Sequence, residues 1–171
     1  KPKIVFFDLE TLPDLKEVLK IFPSLSDYPG RTLKASICSI ICFGYQVYGE
    51  KKASCVNAWD FEGWKDDVND DKKLAEMAAY ILKDADAIVT FNGKKFDWKF
   101  LQTRLLKHGH KLMTKIVHID LYQECRSNLF LYRNNLNTIS QVVNGKEKMK
   151  HSGWDLWVDV HMLVIIVNCI Q

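Results

Sequence analysis

The sequence predicts an α/β fold in which helices flank a mixed β-sheet. Three strand-like segments come first without a long helix between them, and the rest of the chain alternates helical and strand patterns. A hairpin after the first strand would make the first three strands antiparallel, whereas helical crossovers would add parallel strands on the other side of strand one. We therefore predict the strand order 3-2-1-4-5, with strand one in the centre.

The first three strands follow from their apolar content. Residues 3–9 (KIVFFDL) contain a continuous apolar run, and residues 36–48 are rich in Ile, Phe and Tyr. The GEKK turn then leads into a third strand at 53–59. Residues 13–34 connect the first two strands, and a short helix is predicted near residues 15–21.

The second half of the chain alternates helices with strands. A helix is predicted over residues 71–83 because apolar residues recur there at i, i+3, i+4, i+7 and i+8. The strand AIVTF (87–91) ends at an Asn-Gly turn. The remaining elements are predicted as a helix at 95–108, a strand at 115–119, and helices at 121–127 and 135–143.

Composition indicates one globular domain in a reducing compartment. The 171 residues are 47% hydrophobic and 26% charged, with a net charge of +3, so nothing in the overall charge indicates a nucleic-acid or membrane partner. We see no repeat or composition shift, and predict a single domain over residues 1–171. Five cysteines without a C-x-x-C pair predict reduced thiols.

The apolar segments near the two ends predict neither a signal peptide nor a membrane span. KPKIVFF at the start lacks the long apolar stretch of a signal peptide, and MLVIIV near the other end is too short to cross a bilayer. We expect a cytoplasmic protein, or one made in the cytoplasm of a host cell, without a membrane partner.

Asp8 and Glu10 are unusual because they directly follow the apolar run of strand one. Side chains alternate along a strand, so both carboxylates point to one face. Two close carboxylates resist joint ionisation unless a cation lies between them, and oxygen ligands of this kind suit Mg²⁺ or Mn²⁺. Taken alone, this pattern is equally consistent with two acids that face solvent where a strand ends.

Asp97 provides the second signal. In IVTFNGKKFDWKFL it lies in the first turn of a helix, where the helix dipole favours an ionised carboxylate. If strand 87–91 lies beside strand one, Asp97 reaches the same rim as Asp8 and Glu10. Three such acids could hold two divalent ions about 3.5–4 Å apart, one to activate water and one to stabilise the leaving oxygen of a phosphodiester.

These motifs resemble those of the DEDD 3′–5′ exonucleases, whose fold is ribonuclease H-like. FDLET (7–11) resembles their first motif and FNGKKFD (91–97) their second, and HIDL (118–121) followed by LNTISQVV matches the stretch after it. The phage-type and DNA-polymerase-B-like exonuclease domains are the most similar in character. The resemblance covers most of residues 3–160 and implies a 3′–5′ exonuclease that acts on single-stranded DNA, or on RNA, with a replication or repair partner.

The resemblance also implies residue roles. Asp8, Glu10 and Asp97 would be catalytic ligands of two Mg²⁺ or Mn²⁺ ions. The implied substrate-binding residues are Thr11, Leu12, Asn92 and Phe96.

Two of these assignments have a competing interpretation. For Phe96, the interpretation that its ring packs in the core from a helix face is supported nearly as well as contact with the sugar or base. Asp120, at the end of its strand, is expected to cap the following helix rather than to bind metal.

The chain departs from the resemblance at the third motif. That family has a fourth acid on a C-terminal helix, with a Tyr or His nearby, whereas MLVIIVNCIQ contains no Asp, Glu or Tyr. We expect the fourth acid to fall beyond Gln171, or the C-terminal helix to be incomplete or divergent. Asp155 and Asp159 could replace the missing ligand, and His151 and His161 could act as proton acceptors, although packing and structural roles are commoner for such residues.

The sequence is also consistent with three other functions. The missing fourth acid suggests a nucleic-acid-binding domain of the same fold with impaired or no activity. VFFDLETL also resembles the phosphoaspartate motif of haloacid dehalogenase-like phosphatases, with Asp8 as nucleophile, but the early hairpin does not fit that family. An endonuclease of ribonuclease H type would instead cut a hybrid duplex internally.

Overall fold

A computed structural model describes residues 1–21 and 34–145. The C-terminal helix and the substitutes proposed at residues 151–161 lie outside these residues. The strands are β1 (Ile4–Pro13), β2 (Cys38–Val47), β3 (Ser54–Asn57), β4 (Ala87–Thr90) and β5 (Val117–Asp120). The helices are α1 (Leu15–Ile21), α2 (Lys72–Leu82), α3 (Asp97–Lys107), α4 (Leu121–Asn128) and α5 (Leu136–Asn144), and a 3-10 turn, Ala58–Asp60, follows β3.

The five strands form one sheet in the order β3-β2-β1-β4-β5. The β1–β2 and β2–β3 pairs are antiparallel, and the β1–β4 and β4–β5 pairs are parallel. The predicted mixed sheet and its strand order are therefore confirmed. The carboxyl ends of β1, β4 and β5 consequently lie side by side.

The first strand is longer than predicted, which changes the position of the paired acids. β1 continues to Pro13, so Asp8 and Glu10 lie inside the strand and not at its end. The pairing with β2 shifts register between Glu10 and Thr11, which marks a β-bulge. Because β2 continues to pair with β1 after the bulge, β1 stays extended beyond Leu9, where the apolar run alone predicted that the strand ends.

Helices α2 and α3 cover one face of the sheet and form the core with it. The buried residues of β1 on this face, Val5, Phe7 and Leu9, belong to one cluster with residues of both helices. Phe7 stacks on Phe43 of β2 with ring centroids 5.5 Å apart. Burial of this apolar surface is the main stabilising contribution to the fold.

A buried ion pair joins α3 to the start of α2. Asp71, the residue before α2, accepts hydrogen bonds from Arg104 Nε at 2.7 Å and Arg104 Nη2 at 2.6 Å. It also accepts from the Ile40 amide of β2 at 2.7 Å and from His108 Nε2 at 2.6 Å. The side chains of Arg104 and Asp71 are 2% and 0% exposed, so each charge relies on the other for compensation.

No helix within residues 1–21 and 34–145 is long and apolar enough to cross a membrane. The four cysteines in these ranges, Cys38, Cys42, Cys55 and Cys125, are reduced.

Replacing Arg104 with Ala should reduce the free energy of unfolding by about 3–5 kcal/mol, because the Asp71 carboxylate would stay buried without its charged partner. Urea unfolding followed by circular dichroism measures this loss. Arg126→Ala, at an exposed position of α4, is the matched control and should change stability by less than about 0.5 kcal/mol. Equal effects of the two substitutions would contradict a structural role for the buried pair.

Candidate active site

The outer face of β1 carries the paired acids. Phe6, Asp8 and Glu10 are exposed and alternate with the buried residues of the core face. Across the β1–β2 pair, Gly44 lies opposite Asp8 and Cys42 lies opposite Glu10. A Cβ atom at Gly44 would find its nearest neighbour, the Asp8 carbonyl oxygen, 3.9 Å away. The sheet is therefore open beside Asp8.

A hydrogen bond brings Asp97 to the same segment of β1. In the described residues, the pairing of β4 with β1 covers Ile4–Phe6, so Leu9 lies beyond it. The Leu9 amide donates to Asp97 Oδ1 at 3.1 Å. Since Leu9 lies between Asp8 and Glu10 in the chain, this contact places the Asp97 carboxylate beside the backbone segment that carries both acids.

The pKa of Asp97 responds to the charges of both neighbouring acids. Its pKa is raised from 3.8 to about 6, first by burial, and then by the negative charge of Asp8, with a smaller contribution from Glu10. Hydrogen bonds from the backbone amides of Leu9 and Asp97 oppose the increase. Ionisation of Asp97 at neutral pH thus has a free-energy cost that a nearby cation would reduce.

The acids do not form a complete coordination shell on their own. Within residues 1–21 and 34–145, no group of three or more His, Cys, Asp or Glu side chains could hold a metal ion as it stands. Mg²⁺ typically binds through one or two carboxylates and takes its other ligands from water and substrate phosphate. The donor chemistry of Asp8, Glu10 and Asp97 suits that mode of binding.

Asp120 organises the turn that precedes Asp97. Its carboxylate caps α4 by accepting the Tyr122 amide at 3.0 Å, as expected. It also accepts the Asn92 amide at 2.8 Å and the Lys94 amide at 3.0 Å, which the sequence did not indicate. Asn92 has a φ of 65°, so these contacts hold the turn in a strained left-handed conformation.

Gly93 is required by close packing in this turn. A Cβ atom at Gly93 would lie 2.4 Å from Thr90 Oγ1, which is itself hydrogen-bonded to His118 Nε2 at 2.8 Å. The pKa of His118 is lowered by burial and by the positive charge of Lys94, against the opposing charge of Asp120. The turn is thus tied to β5 through both Thr90 and Asp120.

The four predicted substrate-binding residues lie in different environments. Asn92 is half-buried and lines a cavity beside the sheet, whereas Phe96 packs on the core, with its ring centroid 5.5 Å from that of Phe100. Thr11 and Leu12 are 5% and 0% exposed. Packing therefore accounts for the side chains of Phe96 and Leu12, and substrate contact by these residues stays a prediction.

Asp8 lines the same cavity as Asn92. The cavity measures about 670 Å³, and its described lining includes Phe6 of β1 together with Phe91 and Tyr122. The rings of Phe91 and Tyr122 meet edge to face with centroids 5.8 Å apart. Aromatic side chains in such a cavity offer flat surfaces for nucleobases or sugars.

Two thiols adjoin the acids on the outer face, a feature that sequence spacing did not reveal. The Sγ atoms of Cys42 and Cys55 are 2.9 Å apart. The pKa of Cys42 is raised to about 12, first by burial and the hydrogen bond with Cys55, and further by the charges of Glu10 and Asp8. This pair is 13 residues apart in the chain and is brought together only by the β2–β3 pairing.

A family model of the ribonuclease H superfamily matches residues 31–157. The chain belongs to the ribonuclease H superfamily. The matched range contains Asp97, whereas Asp8 and Glu10 precede it. No curated protein matches the chain.

A solved structure supports the same ribonuclease H-like fold. The family B DNA polymerase from the hyperthermophilic archaeon Pyrobaculum calidifontis matches with a TM-score of 0.66 and 15% identity. The match covers 97% of this chain but only 22% of the polymerase chain. The antiparallel β1–β2 pair and this fold leave no support for the haloacid dehalogenase-like interpretation of Asp8.

Asp97→Asn should stabilise the metal-free protein at pH 8, because Asn keeps an acceptor for the Leu9 amide and removes the costly charge. A native pKa of about 6 against 3.8 for the free group means that wild-type stability falls as pH rises between these values. The variant's advantage should therefore be near zero at pH 4 and reach up to about 3 kcal/mol above pH 6. Thermal unfolding in chelator from pH 4 to 8 measures it.

The control for this experiment is Asp84→Asn, at an exposed position before β4. Its Tm profile should run parallel to the wild-type profile. A difference between Asp97→Asn and wild type that stays constant from pH 4 to 8 would contradict the electrostatic origin of the effect.

Gly93→Ala should destabilise the protein by about 1–3 kcal/mol, because the added methyl group overlaps Thr90. Gly44→Ala, whose Cβ atom has ordinary space, serves as the control. Urea midpoints measured by tryptophan fluorescence compare the two variants. Equal midpoints would show that the turn adapts without cost.

Proposed function

We propose that this chain is a metal-dependent 3′–5′ exonuclease that hydrolyses the phosphodiester bonds of single-stranded DNA. Asp8, Glu10 and Asp97 would hold two Mg²⁺ or Mn²⁺ ions. The observation that carries the proposal is the hydrogen bond from the Leu9 amide to Asp97. It places the Asp97 carboxylate beside the short segment of β1 that carries Asp8 and Glu10. A ribonuclease H-like fold supports a nuclease function in general.

The raised pKa of Asp97 supports a cation site at this position. A buried carboxylate whose ionisation is opposed by Asp8 and Glu10 gains most from a neighbouring positive charge. When bound, divalent ions would supply a water molecule of lowered pKa and would offset charge on the phosphate. The protein's own contribution is to keep Asp97 ionised and oriented through the Leu9 amide.

The aromatic cavity supports a single-stranded substrate. Asp8 and Asn92 line it together with the rings of Phe91 and Tyr122, so a terminal base could stack there while its phosphate reaches the acids. A duplex would keep its bases stacked on one another and unavailable to these rings. Phe6, which is 37% exposed, extends this surface along β1.

The match to a DNA polymerase favours DNA over RNA as substrate. The chain spans 22% of the polymerase chain, the size of one domain of a larger protein. We therefore propose that it acts with a DNA replication or repair protein that supplies or receives the strand.

When the protein is incubated with 5′-labelled single-stranded DNA and Mg²⁺ or Mn²⁺, the labelled products should form a ladder of progressively shorter strands. Asp8→Ala and Asp97→Ala should each lower the rate at least about a hundredfold, since metal-mediated charge stabilisation contributes several kcal/mol. Asp84→Ala, at an exposed position before the start of β4, is the control and should retain the wild-type rate. Circular dichroism checks that all variants fold.

Three outcomes of this assay would argue against the proposal. Undiminished cleavage by both Asp variants would exclude the assigned site. Internal cuts in an RNA–DNA hybrid would indicate an endonuclease of ribonuclease H type.

The third outcome, binding of single-stranded DNA without shortening, would favour a second candidate. A nucleic-acid-binding domain without catalysis is consistent with the lack, within residues 1–21 and 34–145, of a ready group of metal ligands. Fluorescence anisotropy with labelled DNA measures that binding directly.

A further inference from the structure

Two thiols on the outer face of the sheet have no part in the proposed hydrolysis. Cys42 of β2 and Cys55 of β3 have their Sγ atoms 2.9 Å apart. Two thiolates on one tetrahedral Zn²⁺ would be about 3.7 Å apart, given a Zn–S length of about 2.3 Å. The pair is thus closer than the sulfurs of a zinc site and still longer than a disulfide of about 2.05 Å.

The strand register places the two thiols diagonally on one face. Cys42 pairs with Asn57, and Cys55 pairs with Gly44. Diagonal neighbours in a sheet have Cα atoms about 7–8 Å apart, slightly more than the usual span of a disulfide. β3 has four residues and lies at an edge of the described sheet, so a small shift of this strand can close the gap.

The two thiols also differ in their access to solvent. Cys55 is exposed, and its thiol donates to Asn57 Oδ1 at 3.1 Å. Cys42 is half-buried, and Cys38, on the same strand, is 2% exposed. A dissolved oxidant therefore meets Cys55 first, with Cys42 in position to react next.

We propose that Cys42 and Cys55 form a redox modification site, which a low-molecular-weight disulfide such as oxidised glutathione converts to an intramolecular disulfide. In the first step the Cys55 thiolate attacks one sulfur of the glutathione disulfide, and one glutathione thiolate leaves. In the second step the Cys42 sulfur, which lies 2.9 Å from Cys55 Sγ, attacks Cys55 Sγ and gives up its proton to water as the second glutathione thiolate leaves. The two thiol protons end on two reduced glutathione molecules, so the protein loses two electrons and the oxidant gains them.

The cross-link would form directly beside the candidate active site. Cys42 is the cross-strand partner of Glu10, and the disulfide would join β2 to β3 at that level of the sheet. The modification does not rest on the proposed nuclease function, because its product is a covalent bond that can be detected without any substrate.

The test uses the whole chain, incubated with oxidised glutathione, alkylated at its remaining thiols and digested with trypsin. Residues 35–51 form the peptide that contains Cys38 and Cys42, and residues 53–65 form the peptide that contains Cys55. We expect mass spectrometry to find these two peptides linked, with two hydrogens lost and glutathione absent. Reduction should separate them.

Single substitutions identify the sulfurs involved. The link should persist in Cys38→Ser and in the control Cys125→Ser. In Cys42→Ser it should disappear and leave glutathione on Cys55. Thermal unfolding checks that each variant is folded.

Several results would overturn the proposal. Stable glutathione on Cys55 of the wild-type chain, with no link, would show that Cys42 does not reach it. A link that survives Cys42→Ser, or one from Cys55 to Cys125 or Cys169, would assign the chemistry elsewhere. Equal yields of the link in buffer and in concentrated urea would show that the folded sheet contributes nothing.

Discussion

The hydrogen bond between the Leu9 amide and Asp97 is the constraint on which the candidate site depends. β4 stops pairing with β1 at Phe6, and a buried backbone amide beyond that point needs an acceptor. The Asp97 carboxylate at the start of α3 provides it at 3.1 Å. A requirement of backbone chemistry thus brings a third acid to a strand that already carries two.

Two buried aspartates in this fold have opposite electrostatic surroundings. Asp71 receives two hydrogen bonds from Arg104 and one from the Ile40 amide, so its charge is compensated within the protein. Asp97 faces Asp8 and Glu10, and its pKa rises to about 6. The contacts of Asp71 connect the start of α2 to α3 and β2. The negative charge of Asp97 has a free-energy cost that a bound cation would lower, as is common at functional sites.

The sheet order was predictable, whereas the exact extent of its strands was not. Connection lengths and helix periodicity were sufficient for the order β3-β2-β1-β4-β5. The end of β1 was wrong by four residues, because the apolar run stops before the strand does. Pairing with β2 across a bulge at Glu10 keeps the chain extended, and a bulge has no reliable signature in a single sequence.

The sequence by itself determined the fold class, the face shared by Asp8 and Glu10, and the position of Asp97 in the first turn of a helix, because these follow from local periodicity and turn residues. Only the tertiary structure decided which groups became neighbours. Asp120 holds the turn at Asn92, and Cys42 meets Cys55, through pairings between strands that are far apart in the chain. Such contacts depend on strand register, and a shift of one residue would turn every side chain to the other face.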